Sequence, residues 1–227
     1  MAQSTHVELT AADGHRFDAY VATPAGTPRG ALVVVPEIFG VNSHIRAVAD
    51  GYAADGYLAI APALFDRVER GVDIGYTPAD VQRGFALKTA CTDPHALADI
   101  AAALAHVGNS THAGKVGIVG YCWGGLLSWL AACRLDGLAA AITYYGGGMP
   151  AQAALAAHCP VLAHFGELDT HIPLDGVNAF RAAQPGVDVQ LYAAQHGFNC
   201  DQRASYDAAS AASARARTLA FLRAHIG

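Results

Sequence analysis

The chain predicts an α/β fold with a mostly parallel central sheet and helices on both faces, and three observations carry that expectation. Short apolar runs of strand length alternate with Ala-rich amphipathic segments of helix length, as a parallel sheet joined by crossover helices requires. At 227 residues the chain can bury a full core as one doubly wound domain, residues 1–227. Residues capable of chemistry gather just past the carboxyl ends of several strands, where open α/β sheets place their ligands.

The elements follow in order. Val7-Glu8-Leu9 and Phe17-Asp18-Ala19-Tyr20-Val21 read as an antiparallel hairpin around Asp13-Gly14. Strands are expected at 31–35, 57–60, 116–119, 139–144, 161–165 and 187–192, the last with a clear alternation in Val187-Asp188-Val189-Gln190-Leu191-Tyr192. Helices are expected at 43–55, 94–106, 123–133, 175–183 and 206–225, the last including the Ala-rich stretch 208–216. Asp93-Pro94 is a start signal: the carboxylate can accept free amide hydrogen bonds and proline suits the first turn. Segment 65–90 has weak apolar periodicity and three glycines, and reads as a loop plus helix lying over the site. No internal repeat or low-complexity linker interrupts the chain.

Composition excludes several classes of function. The formal charge is −5, and no two Lys or Arg residues are adjacent, so there is no basic tract for nucleic acid. The start, Met1-Ala2-Gln3-Ser4-Thr5-His6, lacks the basic and apolar regions of a signal peptide, and no apolar run reaches membrane-spanning length. The expectation is a soluble cytoplasmic protein acting on a small molecule, without a membrane partner and without bias toward monomer or homodimer. Cys91, Cys122, Cys133, Cys159 and Cys200 are odd in number with no C-x-x-C pair, which suits a reducing compartment and gives no zinc or redox-dithiol spacing. No cofactor motif is present, and His164, His171 and Asp169 match no metal-ligand spacing.

The chemistry centres on Gly120-Tyr121-Cys122-Trp123-Gly124-Gly125, which follows an apolar strand and precedes a helix. This is the G-x-nucleophile-x-G elbow of the α/β-hydrolase fold, with cysteine as nucleophile; small neighbours are needed because the nucleophile sits in a strained turn. Asp169 and His196 follow in the chain order that fold uses for its orienting acid and its base. Each lies in a loop just after a predicted strand. An Asp in such a loop is commonly only a turn former, and His196 is one of eleven histidines. The ordered constellation carries the assignment.

Together with Pro36-Glu37-Ile38-Phe39-Gly40 and His196-Gly197-Phe198, the elbow resembles the dienelactone hydrolase (carboxymethylenebutenolidase) family over nearly the full chain. The resemblance implies hydrolysis of a small anionic enol lactone, from dienelactone to a maleylacetate-type product, through a thioester on Cys122. Glu37 would then help control the thiol proton, His196 would act as base and Asp169 would hold its tautomer. Backbone N–H groups of Ile38 and Trp123 would form the oxyanion hole. Substrate-binding candidates are Arg203 first, then Arg83, for a carboxylate, with Tyr145 and Phe39 lining the pocket. Trp123 and Trp129 read as core side chains. Two positions depart from the best-known family pattern: Gly197 stands where that pattern has a hydroxyl residue, and Cys200 where it has an Arg. Two other readings follow from the same residues, a broad carboxylesterase for small neutral esters and a hydrolase-fold protein that binds a small molecule without turnover.

Overall fold

The structure is a computed structural model that describes residues 3–109 and 114–227. Among the described residues, eight strands form one sheet: β1 Gln3–Thr10, β2 Arg16–Thr23, β3 Ala31–Val35, β4 Leu58–Pro62, β5 Val116–Tyr121, β6 Leu138–Tyr144, β7 Val161–Gly166 and β8 Val187–Tyr192. Their spatial order is β1-β2-β4-β3-β5-β6-β7-β8. The first two pair antiparallel, β2 runs antiparallel to β4, and β4 through β8 are mutually parallel. Strands β3, β4, β5 and β7 are buried at every position, which is why their sequences are continuous apolar runs. The expected hairpin is correct, and both of its strands extend beyond the most apolar residues.

Six α-helices of the described residues cover the sheet: α1 Ser43–Ala54, α2 Pro78–Ala90, α3 Asp93–Gly108, α4 Trp123–Arg134, α5 Leu174–Ala183 and α6 Ala208–His225. On one face, α1 packs on β2 and β4 while α6 packs on β6 and β7; on the other, α3 and α4 pack together over β3 to β6. No helix among the described residues is long and apolar enough to cross a membrane.

Segment 65–90 resolves into a short 3-10 turn at Leu64–Arg67 and then α2. Helix α2 starts with a reciprocal capping box, in which the Thr77 side chain accepts from the Asp80 N–H and the Asp80 carboxylate accepts from the Thr77 N–H. The role expected of Asp93 is corrected. Asp93 is already helical, its N-cap is Thr92 without a side-chain cap bond, and its Oδ1 accepts from the indole Nε1 of Trp123 at 3.0 Å. That bond ties α3 to the first residue of α4. Trp123 and Trp129 are both buried, as expected.

From β3 the chain crosses through α1 to β4, then returns through α3 to β5 on the other side of β3. Crossovers leave β3 and β5 in opposite directions, and a crevice opens at their carboxyl ends. Glu37-Ile38-Phe39 follow β3 there, and Cys122 follows β5.

Candidate active site

Cys122 alone makes the turn from β5 into α4, with φ 54° and ψ −114°. Only Cys122 and Tyr145 among the described non-glycine residues have positive φ, a conformation that costs on the order of 1–3 kcal/mol and persists where the surroundings impose it. Close approach imposes it here. A Cβ at Gly120 would lie 1.9 Å from the carbonyl oxygen of Gly124, and one at Gly124 would lie 2.3 Å from that of Val35. The glycines flanking the nucleophile therefore let the helix start press against β3 and β5.

Asp169 follows β7 and is 5% exposed. Its Oδ1 accepts backbone N–H bonds from His171 at 2.8 Å and Ile172 at 3.2 Å, and its Oδ2 lies 2.7 Å from His196 Nδ1. The carboxylate is thus fixed by its own loop and fixes the imidazole in turn. The His196 imidazole also lies beside the Cys122 side chain on the cavity wall. Burial disfavours its charged form, but the Cys122 charge and the Asp169 hydrogen bond outweigh burial and raise its pKa from 6.5 to about 10. The imidazolium is favoured while Cys122 carries a thiolate.

Glu37 is 1% exposed and its Oε1 accepts from Arg203 Nη1 at 3.0 Å. Its Oε2 is buried without a hydrogen-bond partner among the described residues. Burial opposes the Arg203 charge, yet Glu37, with further contributions from Tyr145, Cys122 and Cys200, holds the guanidinium pKa above its ordinary value. The guanidinium carbon lies 5.7 Å from the Phe39 ring centre and 5.9 Å from that of Tyr76, within cation–π range.

Cys122 and His196 open onto a cavity of about 280 Å³ whose wall includes Ile38, Trp123, Phe39 and Arg203. At the first residue of α4 the Trp123 N–H has no intrahelical acceptor. Two expected substrate contacts are corrected. Arg83 is exposed on α2, where it pairs with Glu69 and is absent from the cavity wall. Tyr145 is fully buried and packs behind the base, its ring centre 5.1 Å from that of His196. Burial first, and then the Glu37 charge, hold its phenol neutral by raising its pKa well above 10. His164 is likewise not part of the site: its Nδ1 lies 2.8 Å from the Tyr192 hydroxyl and its Nε2 3.0 Å from that of Thr218, inside the core.

The expected helix over the site within 65–90 is α2, but sequence reasoning did not name the side chains it contributes. Val81, Phe85 and Lys88 all line the cavity, and their i, i+4, i+7 spacing places them on one helix face. The signal was present in Thr77-Pro78-Ala79-Asp80 as a helix start, followed by that stripe. His171, considered only for metal binding, also lines the cavity, with its ring centre 5.2 Å from that of His196.

Known proteins share this arrangement of elements. The profile of the dienelactone hydrolase family matches residues 17–226. The carboxymethylenebutenolidase of Pseudomonas putida is 32% identical over 226 residues, covering 95% of this chain and 94% of that protein. The provisionally named carboxymethylenebutenolidase of Synechocystis sp. is 36% identical over 213 residues, covering 86% of each. A crystal structure of a provisionally named dienelactone hydrolase from Klebsiella pneumoniae superposes with a TM-score of 0.83 at 32% identity, covering 96% of this chain and 98% of that one. With a family match across nearly all of its sheet and helices, the chain belongs to the dienelactone hydrolase family of α/β-hydrolases.

Proposed function

We propose that the chain, working as one catalytic domain over residues 1–227, opens a small anionic enol lactone through a thioester on Cys122. The favoured substrate is a dienelactone, opened to a maleylacetate-type product. The observation that supports this reading is His196 held between Asp169 and Cys122 on the wall of a cavity that also presents Arg203 and Lys88.

In this reading the Cys122 thiolate attacks the lactone carbonyl, and the Ile38 and Trp123 N–H groups receive the developing oxyanion. Collapse of the tetrahedral adduct breaks the ring C–O bond and expels an enolate, which takes a proton and becomes the keto acid. An enolate is a good leaving group, so thiolate attack needs little help from a strong acid. Forming the thioester removes the thiolate charge that favours the His196 imidazolium. His196 can then give up its proton and act as base toward water, with Asp169 fixing its orientation. Water attack on the thioester releases the carboxylate product and restores Cys122. Glu37 is the group assigned to the resting thiol proton, through the Oε2 left without a partner.

Turnover of dienelactones beside simple aryl esters tests the proposal, in the wild type and in Cys122→Ala and His196→Ala. Each substitution should lower turnover by at least about 10³, because nucleophile and base act as a unit. Full activity in Cys122→Ala would remove the mechanism. A second reading, a carboxylesterase for small neutral esters, is supported by the apolar wall of Phe39, Val81, Phe85 and Trp123. A preference for aryl esters over dienelactones would favour it.

A further inference from the structure

Behind the catalytic cavity, on the face of the sheet carrying α1 and α6, side chains of zinc-ligand type meet from opposite ends of the chain. His44 on α1 and Asp201 stand 157 residues apart in sequence, with His44 Nδ1 3.3 Å from Asp201 Oδ1. Cys200 adjoins them, and one donor atom from each of the three residues lies within 4.8 Å of the other two. We propose that His44, Cys200 and Asp201 form a three-ligand site for a thiophilic divalent cation such as Zn²⁺.

The donor set is one imidazole nitrogen, one sulfur and one carboxylate oxygen. Thiolate with imidazole selects Zn²⁺-like ions over Mg²⁺ or Ca²⁺, which take oxygen ligands. Bond lengths of about 2.0–2.3 Å set tetrahedral donor atoms roughly 3.3–3.7 Å apart. His44 Nδ1 and Asp201 Oδ1 already stand at tetrahedral spacing, so the cluster closes with a shift of about an ångström on the Cys200 side, and the 67% exposed Asp201 side chain is free to follow it. His44 and Cys200 are buried. The His44 Nε2 is buried without a hydrogen-bond partner among the described residues, so the ring is not committed elsewhere.

Burial first, and then the Glu37 charge, push the Cys200 thiol up to about 11, so the cation itself must displace the proton. The Tyr76 hydroxyl and the Gln202 backbone N–H lie near the Cys200 sulfur and partly oppose that rise. Tyr76 can direct its proton there because its oxygen accepts from Asn42 Nδ2 at 3.0 Å. Partners of this kind orient ligands and tune metal affinity. The fourth coordination position would face a cavity of about 350 Å³ between α1 and α6, lined by His44, Asn199, Asp201 and Tyr206, with room for a water ligand. On binding, the Cys200 S–H bond breaks, its proton leaves to solvent and the S–metal bond forms, with no change of oxidation state. The ion would tie the start of α1 to the loop carrying His196 and Arg203.

The test is a titration of the full chain with Co²⁺, followed by displacement with Zn²⁺. Expected are one equivalent bound, a thiolate-to-cobalt charge-transfer band, and a melting temperature raised by roughly 5–10 °C at a hundredfold excess of free Zn²⁺ over Kd. Cys200→Ser should abolish the band, and His44→Gln should weaken binding at least about tenfold. Asp201→Asn, at an exposed position, should fold normally and also weaken binding, which keeps the test decisive if a buried substitution impairs folding. Cys122→Ser should leave the band unchanged. Absence of stoichiometric binding, or a band that survives Cys200→Ser and disappears in Cys122→Ser, would overturn the site.

Discussion

Gly197 makes room for Arg203: a Cβ at position 197 would stand 2.5 Å from Nη1 and 2.7 Å from Cζ of the Arg203 guanidinium, which is held against Glu37. The departure at Gly197 from the best-known family pattern is thereby tied to Arg203. Where that pattern has a hydroxyl residue next to the histidine, this chain has empty space, and a guanidinium reaching back from seven residues after His196 fills it.

Gly197→Ala should therefore cost more than its own backbone strain. With φ +79° at this position, an alanine alone loses roughly 1–2 kcal/mol. In Gly197→Ala with Arg203 retained, the guanidinium must also move away from Glu37. Urea unfolding of the wild type, Gly197→Ala, Arg203→Met and the double mutant measures the coupling, expected at about 0.5–3 kcal/mol. Strict additivity would show that the two positions do not communicate.

Specificity is better tested at Lys88 than at Arg203. Removing Arg203 strands a carboxylate that is 1% exposed, and breaking a buried pair from one side costs about 3–5 kcal/mol. Arg203→Met should then depress turnover of every substrate. Lys88 lines the cavity and forms no ion pair with a described residue. Lys88→Met should lower kcat/KM for a carboxylated lactone roughly ten- to a hundredfold, from about 1.5–3 kcal/mol of charged hydrogen bonding, and its methyl ester far less. An unchanged ratio between the two substrates would support the neutral-ester reading.

Thiol reactivity should separate Cys122 from the other cysteines. Burial is the main cause that pushes Cys91, Cys133, Cys159 and Cys200 up to about 11. At pH 7.5 that leaves on the order of one thiolate in a few thousand at each. Cys122 is half-buried, opens onto the cavity and is paired with His196. Brief iodoacetamide treatment with peptide mapping should find Cys122 modified first, and at least about tenfold more slowly in His196→Ala. Earlier modification of Cys159 would contradict this arrangement of charges.

Strands such as β3 were legible because they are buried on both faces and read as unbroken apolar runs, and β8 because its residues alternate; β3 and β8 match the expected limits of 31–35 and 187–192. The constellation of Cys122, Asp169 and His196 was legible because a strained elbow requires glycine neighbours and the fold orders its strand ends. Side-chain direction was not. Asp93 turned from its own helix start to the Trp123 indole, and Arg83 lies on α2 away from the Val81, Phe85, Lys88 face. One-dimensional spacing also cannot reveal residues that meet only through topology, as His44 and Asp201 do across 157 positions.

His164 should make the fold sensitive to acid. It is fully buried in β7 and bonded on both ring nitrogens, to Tyr192 and Thr218. Burial, with a smaller contribution from Arg217, lowers its pKa from 6.5 to about 3. Between those two values the unfolded chain binds a proton that the folded chain refuses. Stability is therefore fully present above pH 6.5 and declines as pH falls toward 3, with a slope of up to about 1.4 kcal/mol per pH unit from this one group. His164→Gln keeps hydrogen-bonding capacity and removes the titration, so its stability at neutral pH should be lower while its slope between pH 6 and 4 should be shallower than that of the wild type. The measurement is ΔG of unfolding in urea at half-unit pH intervals for both proteins. Parallel curves would assign the acid sensitivity to carboxylates and leave His164 only a packing role.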